Sequence, residues 1–497
     1  MNEILKKRIR NTDLLDKVVS ADEAVSHIKP GMTLGVSGFT IAGYPKMTAT
    51  ALSKRADAGE KLNLTVYSGA SLGDEFDGEL TRKGVFKKRI PYQTNNDLRN
   101  AINAGKVGYF DMALGELPVW IKNGILNHID VAVVEATAID EEGNIIPTTS
   151  IGVSNTYVEC ADVVIVELNT YVPAELEGIH DVFSPQKAPN TEPIMIVKPS
   201  DRIGTPYIKC NPDKIVAIVE SDIPDNGRGV LPPDDEFKMM AENLISFLEG
   251  EVKAGRLCDP LPPLQAGIGS VTNAVLDGLQ ASSFEHMTVY SEVLQNSIFE
   301  LMDSGKIDFA CATSLTLSSD VRDNFFKNFD KYRDKIMLRP QEISNAPEVI
   351  RRLGIIAVNT VIEADIYGNT NSTYIDGHRL MNGVGGSGDF CQNAGLSIFI
   401  TKSTAKNGTL SSIVPLVSHI DHTIHEIHVL ITEQGAADLR GLDPMDRART
   451  IIDNCAHPNF RPALHAYLDE AYDSSPNKHK PVNLKAAVEF KKSITHS

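Results

Sequence analysis

Short runs of β-branched and apolar residues punctuate the chain: Met32 to Val36, Leu64 to Tyr67, Val131 to Val134, Val163 to Val166 and Ile215 to Val219. Longer amphipathic segments separate them. Near-continuous apolar runs alternating with helix-length segments predict an α/β architecture, with a largely parallel sheet covered by helices. The alternation stops at 221–235, SDIPDNGRGVLPPDD, which is rich in Pro, Asp and Gly. A helical pattern, Met239 to Leu257, follows, and then Pro260, Pro262 and Pro263. The domain boundary belongs in this region. The expected division is an N-terminal domain at 1–225, a linker and connecting helix at 226–260, and a C-terminal domain at 261–497.

The halves repeat one pattern. Residues 133–155 and 358–388 each read as an apolar strand, an acidic turn ending Gly143-Asn144 or Gly368-Asn369, a Thr/Ser stretch and a glycine loop. Each half opens with a strand running through small residues into a helix, at Thr33 to Ala42 and at Gln265 to Ala274. The expectation is a tandem duplication of one α/β unit. Such a pair usually places its site in the intervening cleft, at strand carboxyl ends.

Bulk properties narrow the classes. The length of 497 residues exceeds one ordinary core. A net charge of -17 argues against nucleic-acid or anionic-membrane partners, which want a basic face. Apolar runs such as Ile355 to Val358 are far too short to span a bilayer. Lys6, Lys7, Arg8 and Arg10 are followed by Asn11, Asp13 and Asp16, so the N-terminal stretch does not read as a signal peptide. The six cysteines are scattered without a C-x-x-C pair, as expected of reduced thiols in a cytoplasmic protein.

Candidate chemistry starts at Met381 to Phe390, MNGVGGSGDF, with four glycines between Gly383 and Gly388. Glycine is conformationally costly, so a cluster needs a backbone reason. It is either a tight turn or a cradle of N–H groups for a phosphate or an oxyanion. Gly267 to Ala274, GIGSVTNA, is a second glycine loop feeding a helix, and an ordinary βα turn reads the same way. In Met287 to Gln295, MTVYSEVLQ, a short strand precedes Glu292 and a helical pattern runs on through Ile298 and Leu301. Glu292 at a strand end is a candidate nucleophile, and a glutamate in a helix's first turn is the competing explanation. A carboxylate aimed at glycine-loop N–H groups would suit acyl transfer from a thioester. His419, His422, His425 and His428 imitate a metal motif, but a spacing of three on a turn entering a strand does not put the rings on one side. No metal is assigned there.

Together YSEVLQ around Glu292, NGVGGSGDF, LRPQEISNAPEVIRRLG (338–354) and ITEQGAADLRGL (431–442) resemble the acetyl-CoA hydrolase/transferase family of coenzyme A transferases. The resemblance extends to SGFTIAGYPK (37–46), PYQTNNDLR (91–99) and CAHPNFRP (455–462), nearly the whole chain. It implies a CoA-transferase moving CoA between short acids, with succinyl-CoA and acetate first and propionate or butyrate close behind. The implied cycle is ping-pong through a glutamyl-CoA thioester on Glu292. The resemblance assigns the backbone amides of Ile268 and Gly386 to the oxyanion hole, and Asn345 and Glu433 to orienting roles. It assigns Gly267, Ile268, Gly269, Ser270, Val271, Asn382, Gly386 and Lys406 to CoA contact. It implies a homodimer with no permanently bound cofactor, acyl-CoA and short carboxylic acids being substrates. A short-chain acyl-CoA hydrolase using the same residues is the alternative, and a non-catalytic CoA sensor a third reading.

Overall fold

The computed structural model describes residues 3–189, 191–227, 234–267 and 269–495. The chain forms two compact units. The first comprises Met1–Gly229, Val289–Asn296 and Asp308–Arg352, and the second Val230–Thr288, Ser297–Ile307 and Leu353–Ser497. Compactness thus partitions the chain differently from sequence order, and the segment carrying Glu292 groups with the first unit.

In the first unit seven parallel strands lie in the order Val18–Val19, Ile215–Ser221, Val163–Asn169, Val131–Ala136, Thr33–Val36, Leu64–Tyr67 and Phe86–Ile90. The five predicted apolar runs are five of these strands: those starting at Val131, Val163 and Ile215 extend further, Leu64–Tyr67 is unchanged, and the first begins at Thr33. Val131–Ala136 is buried at every position, as a strand covered on both faces must be. In the second unit Leu264–Ala266, Ile356–Thr360, Leu396–Ile400 and Val429–Thr432 run parallel in that order, and Gly435–Asp438 closes antiparallel. The helix expected at Met239 to Leu257 spans Asp235–Lys253, where the Asp234 carboxylate caps it by accepting from the Phe237 N–H.

The duplication is visible in hydrogen bonds. After Val131–Ala136, Asp140 Oδ1 accepts from the N–H groups of Glu142 and Asn144, and its Oδ2 from Asn144 Nδ2 at 2.9 Å. After Ile356–Thr360, Asp365 Oδ1 accepts from the N–H groups of Tyr367, Gly368 and Asn369, and its Oδ2 from Asn369 Nδ2 at 2.8 Å. Gly143 at φ 89° and Gly368 at φ 98° close the two turns in the left-handed region that glycine alone adopts cheaply. The same D-x-x-G-N turn is therefore built twice, at the same place relative to the sheet.

The units differ where their first strand feeds a helix. In the first, the fully buried Glu167 carboxylate accepts from the N–H groups of Lys46, Met47 and Thr48 and from Thr48 Oγ1, at 2.7–2.9 Å. It satisfies the opening donors of the helix Lys46–Asp57. Beside it, Lys46 Nζ pairs with Glu135 at 2.7 Å and Asp225 at 2.8 Å. In the second unit the matching helix, Ser270–Ala281, follows Gly269 at φ 125°.

His180 is fully buried. Its Nε2 lies 2.8 Å from the Thr148 carbonyl and its Nδ1 has no partner among the described residues. Burial lowers its pKa from 6.5 to about 4, because a charged ring would strand a second N–H without an acceptor.

Two outcomes are expected. Glu167→Leu leaves three helix-opening N–H groups unpaired in the core and should cost about 4 kcal/mol, read as a shift of the urea midpoint. The stability held by neutral His180 is fully present above pH 6.5 and is lost as pH falls toward about 4, since the unfolded ring takes up its proton first. The stability of wild type minus that of His180→Gln should therefore decline across that interval.

Candidate active site

Glu292 stands between the strands Met287–Tyr290 and Val293–Leu294, and the following helix begins only at Asn296. It is therefore a strand-end carboxylate and not a first-turn helix residue. Val293–Leu294 pairs in parallel with Ser314–Leu315. The Glu292 carbonyl accepts from the N–H groups of Thr313 at 3.0 Å and Ser314 at 3.1 Å, which fixes the backbone from which the side chain projects. The side chain is half-buried. Asn345 Nδ2 donates to its Oε1 at 2.8 Å. The structure thus joins two residues 53 positions apart that the sequence analysis had singled out separately.

Asn345 ends the short helix Gln341–Ser344 and is wholly buried. Its Oδ1 accepts from Ser344 Oγ at 2.7 Å. Several bonds anchor this turn within the first unit. The Tyr290 hydroxyl donates to the Ile343 carbonyl at 2.6 Å. Gln341 donates from its backbone N–H to Gly152 O at 2.8 Å and from Nε2 to Leu114 O at 2.6 Å. Just upstream, buried Arg339 pairs with Asp181 and donates from Nε to Cys311 Sγ at 3.0 Å.

Around Val293 pack Phe39, Ala70 and Leu114, with half-buried Tyr92 against them. Burial and then the nearby negative charge of Glu292 push the Tyr92 hydroxyl upward, so this phenol stays protonated beside the carboxylate. The packing of this wall is close: a Cβ added to Gly69 would stand 2.8 Å from Gly38 O and from the Phe39 ring. Phe39, Tyr92 and Ser344 received no role from the sequence. All three fall in quoted motifs, SGFTIAGYPK, PYQTNNDLR and LRPQEISNAPEVIRRLG, but nothing in a linear pattern brings them to position 292.

The glycine-rich segments belong to the second unit. Gly385 at φ 59° lies in the left-handed region that favours glycine, whereas Gly386 at φ -81° does not; Gly386 precedes the helix Ser387–Asn393. Ser387 Oγ donates to Val384 O at 2.6 Å and so accepts from His422 Nε2, 2.9 Å away. That leaves the His422 Nδ1 lone pair facing the Cys391 thiol at 3.2 Å. Burial raises the Cys391 pKa and lowers that of His422, which favours a neutral S–H···N bond. Glu426 is the third member of this cluster, whose ligand-type atoms lie within 4.8 Å of one another. The other histidines of the run go elsewhere. His419 pairs with Asp421 at 3.2 Å, His425 is exposed, and His428 Nδ1 accepts from the Ser397 N–H at 3.1 Å.

Glu433 accepts from the Ser403 N–H at 2.8 Å, from Ser403 Oγ and from Gln434 Nε2 at 2.9 Å. Burial opposes its charge, but the Ser403 and Gln434 bonds outweigh that and hold the carboxyl below its ordinary range. Gly267 and Gly269 flank Ile268, which lies outside the described residues, as does the Ser270 side chain. Val271 and Asn382 are half-buried, and Lys406 is exposed on a turn with φ 47°. Among the described residues no helix is long and apolar enough to cross a membrane.

Sequence models of the acetyl-CoA hydrolase/transferase N-terminal and C-terminal domains match residues 1–220 and 322–468. The chain is 47% identical over 488 residues to a succinyl-CoA:acetate CoA-transferase of Clostridium kluyveri, covering 98% of this chain and 90% of that one. It is 42% identical to an acetyl-CoA hydrolase of Yarrowia lipolytica, covering 99% and 97%. Among solved structures, RipA from Yersinia pestis superposes with a TM-score of 0.72 at 23% identity, covering 92% and 97%. A 4-hydroxybutyrate CoA-transferase from Porphyromonas gingivalis gives 0.63 at 24%, covering 92% and 98%; both share the fold. With both domain models matched and relatives similar along nearly their whole length, the chain belongs to the acetyl-CoA hydrolase/transferase family.

Proposed function

We propose that this protein is an acyl-CoA:carboxylate CoA-transferase working through a covalent intermediate on Glu292. The observation that carries the reading is the Glu292 carboxylate itself: half-buried at a strand end, with one oxygen bonded to a fully buried amide. Such a group is aimed and partly desolvated, which suits a nucleophile better than a solvated surface charge.

In the proposed cycle a Glu292 oxygen attacks the thioester carbonyl. A C–O bond forms, the C–S bond breaks, and CoA leaves as thiolate, giving a mixed anhydride. The thiolate then attacks the glutamyl carbonyl, forming the glutamyl-CoA thioester and releasing the first acid as carboxylate. An acceptor carboxylate reverses both steps, so the thioester's free energy is conserved. Asn345 orients Glu292 through Nδ2. We assign the backbone amides of Ile268 and Gly386 to the developing oxyanion and a supporting polar role to Glu433. CoA contact is assigned to Gly267, Ile268, Gly269, Ser270, Val271, Asn382, Gly386 and Lys406. Remote contacts of this kind can supply the binding energy that brings thioester and carboxylate together.

Succinyl-CoA and acetate are the proposed pair, supported by the printed activity of the Clostridium kluyveri relative; propionate and butyrate follow. CoA thioesters act as substrates, and no resident cofactor is assigned. A homodimer in the cytoplasm is proposed from the family resemblance, and the free cysteines fit a reducing compartment. The acetyl-CoA hydrolases among the relatives favour one second reading, in which water resolves the same intermediate.

Incubation with succinyl-CoA alone should place a CoA adduct on the peptide containing Glu292, seen by mass spectrometry, and borohydride should then inactivate the enzyme. Free thiol should not accumulate with or without acetate, and acetyl-CoA should form only when acetate is added, whereas rapid thiol release without acid would favour hydrolysis. An adduct elsewhere, or turnover surviving in Glu292→Ala, would defeat the covalent reading. Asn345→Ala should lower kcat by about a hundredfold with a smaller change in KM, because it removes a charge-assisted bond to the nucleophile.

A further inference from the structure

A carboxamide has two ends of similar size and opposite polarity. Which end of Asn345 faces Glu292 decides whether the contact attracts or repels. In the observed arrangement Nδ2 faces Glu292 Oε1 at 2.8 Å and Oδ1 faces Ser344 Oγ at 2.7 Å. Ser344 and Asn345 are both fully buried, so bulk water cannot take over the hydroxyl's part.

Ser344 Oγ also lies 3.3 Å from the Gln341 carbonyl, a group that can only accept. The hydroxyl has one proton for two acceptors. Pointed at Asn345, it sets the amide with its N–H toward Glu292. Pointed at Gln341, it would offer a lone pair to the amide nitrogen and let the amide turn over, bringing Oδ1 against a carboxylate. The contact to Asn345 is the shorter by a wide margin.

From this geometry we infer that Ser344 is a positioning residue for covalent catalysis, acting through Asn345 and never on substrate. The inference rests on Glu292 being the nucleophile. Its use extends through the cycle. With Oε2 as the attacking atom, Oε1 is successively a carboxylate oxygen, the carbonyl oxygen of the anhydride, and the oxygen that gains negative charge when thiolate adds to the glutamyl carbon. It then returns to a carbonyl as the C–O bond to the departing acid breaks and the acid leaves with that electron pair. An N–H donor suits each state, and a reversed amide would oppose each one.

The test compares Ser344→Ala, Ser344→Cys and Asn345→Ala with wild type, using succinyl-CoA and acetate. Ser344→Ala should lower kcat about thirtyfold and slow formation of the Glu292 adduct in proportion, with KM for succinyl-CoA within about threefold. Ser344→Cys, a weaker donor of similar size, should recover part of that loss. In an Asn345→Ala background, Ser344→Ala should cost less than about twofold more, since the group it orients is gone. Unchanged kcat in Ser344→Ala would overturn the inference, as would an equal loss in both backgrounds. If Ser344→Ala does not fold, the Cys variant decides: full wild-type kcat with its weaker donor overturns the inference, and a partial loss confined to the Asn345 background supports it. Failure of the parent reading looks different, since wild type would then form no adduct at Glu292 at all.

Discussion

The site depends on a single charge-assisted hydrogen bond, from a buried amide to a half-buried carboxylate. A bond of this kind contributes about 1.5–3 kcal/mol, which is small beside the cost of ordering two loops. Its effect is directional. The Glu292 backbone is held by the N–H groups of Thr313 and Ser314, and the Asn345 backbone by a short helix pinned to Tyr290, Gly152 and Leu114. With both ends fixed, the carboxylate has little freedom to swing into solvent. Orientation of the Glu292 carboxylate is therefore a property of the whole packed unit and not of a flexible side chain.

The surroundings set the electrostatics. Phe39, Ala70, Leu114 and Tyr92 provide an apolar wall beside the Glu292 segment, which lowers the local dielectric and sharpens every polar contact made there. The upward push on Tyr92 is the counterpart of the same charge. Acidity overall is no obstacle to acidic substrates, because screening confines the net charge to roughly 8 Å at physiological ionic strength while a contact donor acts at bonding distance.

Much of the fold was legible because it is written in periodicity. The buried strands at 131–136 and 163–169 open with continuous apolar runs, Val131 to Val134 and Val163 to Val166, and the repeated Gly-Asn turns point to the duplication without any geometry. Glu292 was legible as a strand-end carboxylate. Its hydrogen-bond partner was legible only through resemblance, since no local rule links positions 292 and 345. Ser344 sits in the quoted motif at 338–354 but received no role, because one hydroxyl proton's direction has no signature in a linear pattern. Helical register misled slightly at Val293 and Leu294, where parallel pairing with Ser314 and Leu315 won over the amphipathic pattern that resumes at Asn296. The glycine cluster is half explained by turn geometry: Gly385 adopts a left-handed backbone that favours glycine, while Gly386 does not.

The two copies share their Asp-anchored Gly-Asn turns, and the first copy opens its helix on an internal carboxylate. In the first, Glu167 saturates the amides of Lys46, Met47 and Thr48 with a permanent internal anion, and Lys46 is neutralised between Glu135 and Asp225. A soluble anion would have to evict a buried carboxylate to reach those donors. That helix start is therefore closed to exchangeable anions and behaves as a fixed corner of its unit, its charge balance complete before any substrate arrives.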